Sequence, residues 1–237
     1  MENNTSQHIS HKFDQEMEDL RNKVLKMGGI VEAQIGGAIE ALQSVDALGA
    51  EEIILRDHKV NALEVIIDED CTQILARRQP AASDLRMVVA VIKTITDLER
   101  IGDEAEKIAK MALNLAEQDA GFNSRYAGIR HLGDHVKTMV HDVLDAYARQ
   151  DVDAAIKVVR DDDKADDEYQ NLMRLLMTFM MEDPRNISQV LDIMWAARAL
   201  ERIGDHAKNI GEYVIYLVKG KDVRHLDLDE IEKNILG

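Results

Sequence analysis

The 237-residue sequence predicts an all-α fold: two tandem, related three-helix bundles built from six long antiparallel helices. Three observations carry that prediction. Apolar residues recur at steps of three and four over long stretches, the period of helices buried along one side. The pentapeptide Glu99-Arg100-Ile101-Gly102-Asp103 returns 102 residues later as Glu201-Arg202-Ile203-Gly204-Asp205, inside the longer match of DLERIGDEAEKIAK with ALERIGDHAKNIGE. Two prolines, 13 glycines and 4% aromatics leave too few turn residues and strand-forming rings for an all-β chain.

The first helix is expected over 10–45. It carries two glycine pairs, Gly28-Gly29 and Gly36-Gly37, and each glycine costs about 0.5–1 kcal/mol relative to alanine in a helix interior. They read either as a kink or as points where a neighbouring backbone comes close. The second helix, 51–78, follows from Val60, Leu63, Ile67, Cys71 and Ile74. The third, 84–117, follows from Val88, Val91, Ile95, Leu98, Ile101, Ala105, Ile108 and Ala112, with Ser83 and Asp84 as candidate caps. Gly121 and its neighbours separate the halves. The second half repeats the scheme with helices at 125–149, 151–181 and 186–219. VEAQIGGAIEAL from Val31 aligns with VKTMVHDVLDAY from Val136, an offset of 105 that shrinks to 102 further on. Pro184 breaks the chain before the last helix as Pro80 does before the third. The boundaries that follow are a bundle over 1–120, a bundle over 121–220, and a tail over 221–237 with one short helix near 228–236.

Charge narrows the function. The chain holds 45 Asp+Glu and 29 Lys+Arg, a formal net charge of −16. Such a surface repels phosphate backbones and anionic headgroups, so nucleic-acid binding and direct lipid insertion are not expected. The longest apolar runs, such as 87–92, are too short to span a bilayer. The opening MENNTSQHISHKFDQE has no basic stretch followed by an apolar one, so a cytoplasmic protein is expected. The single cysteine, Cys71, cannot form an intramolecular disulfide and falls on an apolar stripe, as a small buried hydrophobe would.

Candidate chemistry lies in carboxylates four residues apart. Glu99 and Asp103 project from one helix face, beside the apolar stripe. Glu201 and Asp205 repeat the arrangement, and Glu64 and Asp68 stand in the same relation to the second helix. Like charges at that spacing are destabilising by a few tenths of a kcal/mol, roughly. Oxygen ligands aimed at one patch suit hard or intermediate cations, magnesium and manganese included. The plainer reading is a solvated acidic face neutralised by Arg100, Lys107 and Arg202. His131 and His135 are also four apart, with His141 beyond. A lone pair of this kind is a weak zinc signal, and a polar helix face accounts for it. His206 stands beside Asp205, where the first copy has Glu104. The acidic run 161–168 reads as a solvated face; it lacks the spacing of a calcium loop. There is no phosphate-cradling glycine loop, no nucleophile elbow and no Glu-x-x-His of the di-iron type. No catalytic constellation emerges.

The sequence resembles the PhoU family over nearly its whole length: MGGIVE from Met27, IDEDC from Ile67, RRQPAASDLR from Arg77, both ERIGD copies, TFMMEDPR from Thr178 and YLVKGKDVRH from Tyr216. The resemblance implies paired three-helix bundles. It implies a cytoplasmic negative regulator of the phosphate-starvation regulon, an adaptor between the ATPase subunit of the phosphate ABC transporter and a membrane sensor histidine kinase. It further implies homodimers and iron or zinc clusters on (Glu/Asp)-x-x-x-Asp motifs, which here map onto Glu99 and Asp103, Glu201 and Asp205, and Glu64 and Asp68. In the 105-residue register the last pair aligns with Tyr169 and Met173, so the second patch is expected to be weaker or empty. Asp84 and Arg86, in another family motif, are expected either to charge a helix N-terminus or to meet a partner. Arg149, closing the helix at 125–149, is a third partner-contact candidate.

Two readings follow. One is a non-enzymatic signalling adaptor, reaching the membrane through protein partners. The other is a metal-storage or metal-dependent helical carboxylate protein. The position of the carboxylates, inside a bundle or on its surface, separates them.

Overall fold

The structure, a computed structural model, describes residues 2–78, 80–118 and 127–235. Eight α-helices follow in order among the described residues: α1 (Glu2–Ser44), α2 (Ala47–Arg56), α3 (His58–Arg78), α4 (Ala82–Glu117), α5 (Ala127–Arg149), α6 (Val152–Glu182), α7 (Ile187–Lys219) and α8 (Leu228–Ile235). No strand occurs among them. The predicted repeat is visible in the turns. Val45 and Gln150, at φ 54° and 55°, both reverse the chain in the left-handed region. Each is followed by an aspartate that caps the next helix: Asp46 accepts from the Leu48 N–H and Asp151 from the Ala154 N–H. These turns keep the 105-residue offset.

Three expectations are corrected. The helix predicted over 51–78 begins earlier and is two helices, parted at Asp57. Asp57 is buried there, hydrogen-bonded by Asn61 Nδ2 at 3.0 Å and by Gln34 Nε2 of α1 at 3.4 Å. That partner 23 residues upstream is invisible to local periodicity. Neither Ser83 nor Asp84 caps α4, because the helix starts at Ala82 with Ala81 ahead of it and no side-chain cap. Asp84 instead lies in the first turn, where a carboxylate suits the helix dipole. The glycine pairs of α1 do not break it. A Cβ on Gly28 would lie 2.5 Å from Leu144 Cδ2 of α5, and one on Gly37 would lie 2.6 Å from Ile53 Cδ1 of α2. These are close approaches of side chains, not of a backbone. Gly121, the start proposed at 125, and Leu236 fall outside the described residues.

The two repeats meet along α4 and α7, which run antiparallel. Asp97 pairs with His206, Glu104 with Arg202, and Asp192 with Asn114 and Gln118. Lys93 lies over the rings of Tyr213 and Tyr216. The apolar side chains of both repeats form one continuous core, from Leu20 and Met27 through Leu98 and Ile101 to Ile203 and Ile215. Cys71 is buried in it and its thiol is pushed up to about 12, chiefly by desolvation. No described helix is long and apolar enough to cross a membrane.

Candidate functional site

Each ERIGD copy lies on one of the two helices that form the seam, with its isoleucine and glycine buried and its carboxylates at the edge of the apolar stripe. Glu99, Asp103, Glu201 and Asp205 are all partly exposed. The glycine inside the motif has a definite role. A Cβ on Gly102 would meet Asp57 Oδ1 at 3.1 Å, and one on Gly204 would meet Asp162 Oδ1 at 3.4 Å. In both repeats the glycine makes room for a buried aspartate, Asp57 at the junction of α2 and α3 and Asp162 on α6.

In the first repeat, α3 and α4 gather Glu64, Glu99, Asp103 and Asp57. Burial raises the Glu99 carboxyl, and Asp103, Glu64 and Asp57 raise it further. Glu64 is raised by burial, then by Asp68 and Asp103. Asp57 is raised by burial against its bond from Gln34, with Asp103 adding to the rise. Asp68 is exposed at the margin.

In the second repeat, α6 and α7 bring Asp166, Glu201 and Asp205 together, with one ligand oxygen of each within 4.8 Å of the others. Among the described residues this is the one such group of three; the first-repeat carboxylates do not draw as close. Burial, then Asp205, with Asp166 and Asp162 behind it, pushes the Glu201 carboxyl up to about 7. Asp205 and Asp166 are likewise raised, first by burial and then by Asp162. Glu201 Oε2 is buried with no hydrogen-bond partner. Like charges held together, one oxygen orphaned and every donor atom an oxygen: this set fits a divalent or trivalent cation.

The second patch is therefore built from Asp162 and Asp166, not from Tyr169 and Met173. Tyr169 lies under the Arg198 guanidinium, 5.9 Å from ring centroid to Cζ. The 105-residue register holds on this helix, since Asp57 and Asp162 face the equivalent glycines Gly102 and Gly204, and it sets Asp166 where the first repeat has Asn61. The alignment that gave Tyr169 and Met173 stands, but the expectation of a weaker second patch does not follow from it, because Asp166 joins Glu201 and Asp205 from another position of α6. The acidic run is corrected too: Asp162 is buried and bonded to Lys208 at 2.8 Å. The spacing of Asp162 and Asp166, four apart inside that run, was the signal that could have found them.

Of the expected neutralising cations, Arg100 acts on Glu99 and Glu64, whereas the other two do not reach the patches. Lys107 and Arg202 both bind Glu104 Oε1, each at 2.9 Å, while Arg198 pairs with Glu201 at 2.5 Å. His206 turns away from Asp205, and its Nδ1 meets Asp97 Oδ1 at 2.7 Å in the seam between repeats. His131 and His135 both face Glu168, at 3.3 and 3.1 Å, and His141 faces Glu32.

The partner-contact candidates share one end of the molecule. α7 is antiparallel to α4, so Arg86 Cζ lies 3.6 Å from where a Cβ on Gly220 would stand. α5 runs parallel to α7, as Gly204 near Met139 and Gly211 near Val143 require. Arg149, bound to Asp145 at 2.9 Å and largely exposed, therefore lies at the same end as Asp84 and Arg86.

Comparison with known proteins agrees with this duplicated architecture. A family model described as the PhoU domain matches twice, over residues 24–112 and 129–214. The phosphate-specific transport system accessory protein PhoU of Escherichia coli is 47% identical over 99% of this chain and 96% of its own. The PhoU homolog of Pseudomonas aeruginosa is 51% identical over 96% of this chain and 95% of its own. The crystal structure of PhoU from Pseudomonas aeruginosa superposes with a TM-score of 0.85 over 88% of this chain and 100% of that one. That of the phosphate transport system regulatory protein PhoU from Streptococcus pneumoniae is 31% identical, with a TM-score of 0.82 over 89% of this chain and 99% of that one. Two matched repeats and relatives aligned nearly end to end place the chain in the PhoU family.

Proposed function

We propose that this chain is a non-enzymatic adaptor of phosphate homeostasis. In phosphate excess it joins the ATPase subunit of the phosphate ABC transporter to a sensor histidine kinase, represses the starvation regulon and moderates high-affinity uptake. It acts in the cytoplasm as a homodimer, held at the membrane by its protein partners. The observation that carries this reading is that partly exposed carboxylate patches flank a continuous apolar core, while Asp84, Arg86 and Arg149 gather at one end of the molecule, where a partner can reach them. The names of its relatives, accessory and regulatory proteins of phosphate transport, support it.

The carboxylate patches are cation sites in this reading. Asp166, Glu201 and Asp205 hold one ion, and Glu64, Glu99 and Asp103, with Asp68 at the margin, hold another. Iron or zinc clusters are the first candidates, with magnesium or manganese the all-oxygen alternatives. A bound cation supplies positive charge that relieves the mutual repulsion of these groups. The convergence of the second-repeat triad also favours a second reading, a metal-storage or metal-dependent carboxylate protein.

One experiment separates them. Deleting the gene in phosphate-replete cells should switch on an alkaline phosphatase reporter; a silent reporter would count against the adaptor. In the same strain, Asp166→Asn should lower the metal bound by purified protein, while Tyr169→Phe should not. Stoichiometric iron that consumes oxygen would favour the storage reading.

A further inference from the structure

We infer that the cleft between the C-terminal half of α4 and the N-terminal half of α7 is a docking surface for an acidic amphipathic helix of a partner protein. The inference rests on the adaptor reading for the existence of such a partner; the surface itself comes from the geometry.

Ile187, Leu191 and Trp195 follow one another at steps of four along α7 and are 41%, 43% and 64% exposed. They form an apolar row on a face that no described element covers. Trp195 opens into a cleft of about 370 Å3 between the helices, rimmed by Lys107, Arg198 and Arg202. Exposed tryptophan beside arginine is the composition of binding hot spots. In a chain of net charge −16 this rim is a cationic exception. Its one lining carboxylate, Glu104, already takes both Lys107 and Arg202 on a single oxygen. Arg198 meets Glu201 through one nitrogen. A guanidinium has five N–H donors, so both arginines keep capacity for further carboxylates.

The occupant follows from shape and charge. From Ile187 to Arg202 the row spans about 22 Å at 1.5 Å per residue, the length of a four-turn helix laid in a groove. A second copy of this chain does not suit it. A two-fold contact would set the cationic rim against itself. The partner that fits carries apolar residues on one face and carboxylates on its flanks.

Trp195 is the only tryptophan, so intrinsic fluorescence of the full chain reports directly on this cleft. The probe is a helical peptide of about 18 residues with leucines along one face and glutamates flanking them, with a lysine-flanked twin as control. The glutamate peptide should give a saturable blue shift and the twin none. Lys107→Glu should weaken binding about tenfold or more. Trp195→Ala, followed by calorimetry, should abolish it while helicity and Tm are kept. No shift with the glutamate peptide, an equal shift with the twin, or a shift produced by ATP that the peptide cannot displace would overturn the proposal. In cells, the Trp195→Ala/Lys107→Glu double variant should fail to repress the starvation reporter. Full repression by that variant, where gene deletion derepresses, would overturn the docking surface alone. A reporter silent on deletion would overturn the adaptor reading and this surface with it.

Discussion

Glu212 is buried on α7, and desolvation pushes its carboxyl up to about 7 against the pull of Lys208; Asp222, Arg224 and Asp162 also face it. The native pKa lies above the unfolded value, so between pH 4.5 and about 7 the folded chain holds a proton that the unfolded chain has released. Stability therefore falls as pH rises through that window and levels off above it, with a ceiling of about 3 kcal/mol. Glu212→Gln should stabilise the protein by about 1–3 kcal/mol at pH 8 and leave it nearly unchanged at pH 4. Urea midpoints at the two pH values check this, and an equal gain at both would assign the effect to packing. At this scale the sequence was half legible. Glu99, Asp103, Glu201 and Asp205 were readable from spacing alone, since four residues along a helix put two side chains on one face. Asp162 and Asp166 carry the same four-residue spacing but were masked by the surrounding acidic run, and Asp57 had no such signal, because it enters the site only when its segment packs against α4.

Apart from α1, which starts at Glu2 and not at 10, and the split of the expected 51–78 helix, the helix ends were readable to within a few residues, because a long stripe with a 3.6-residue period has no competing interpretation. Where reading failed, a distant partner decided. Nothing in Arg56-Asp57-His58 is a helix breaker, and the break exists because Gln34 and Asn61 hold Asp57 inward. The glycines of α1 show the same dependence on a neighbour. A Cβ on Gly29 would have nothing within 4 Å, whereas one on Gly28 would meet Leu144 at 2.5 Å. Gly29→Ala should thus gain about 0.5–1 kcal/mol from helix propensity alone. Gly28→Ala receives the same gain but must displace Leu144, and overpacking of a filled core costs about 1–3 kcal/mol. The adjacent substitutions should move Tm in opposite directions, Gly29→Ala up and Gly28→Ala down. A rise of Tm in both would show that the α1–α5 contact is looser than its geometry.

Duplication gave the whole molecule its outline in the sequence, but not the way the copies join. The seam pairs Asp97 with His206 and Asp192 with Asn114, residues whose types differ from those at the matching positions of the other repeat, so no local pattern announces them. Their meeting depends on α4 and α7 lying antiparallel. That seam has a thermodynamic consequence. Each of α4 and α7 buries apolar side chains on several sides, and the core runs unbroken between repeats. Separating the repeats would expose much of the α4–α7 surface to water, at about 25 cal/mol for each Å2 of apolar area. The chain should consequently unfold as one cooperative unit although it holds two copies of a domain. Ile101 and Ile203 occupy equivalent ERIGD positions and are fully buried. Replacing either with alanine costs about 2–5 kcal/mol through lost contacts and the cavity left behind. Under one cooperative transition, Ile101→Ala and Ile203→Ala should each shift the single calorimetric peak downward without splitting it, with the calorimetric and van't Hoff enthalpies remaining equal. Two independent bundles would behave otherwise: each substitution would lower the melting of its own repeat and leave a second peak at the original temperature.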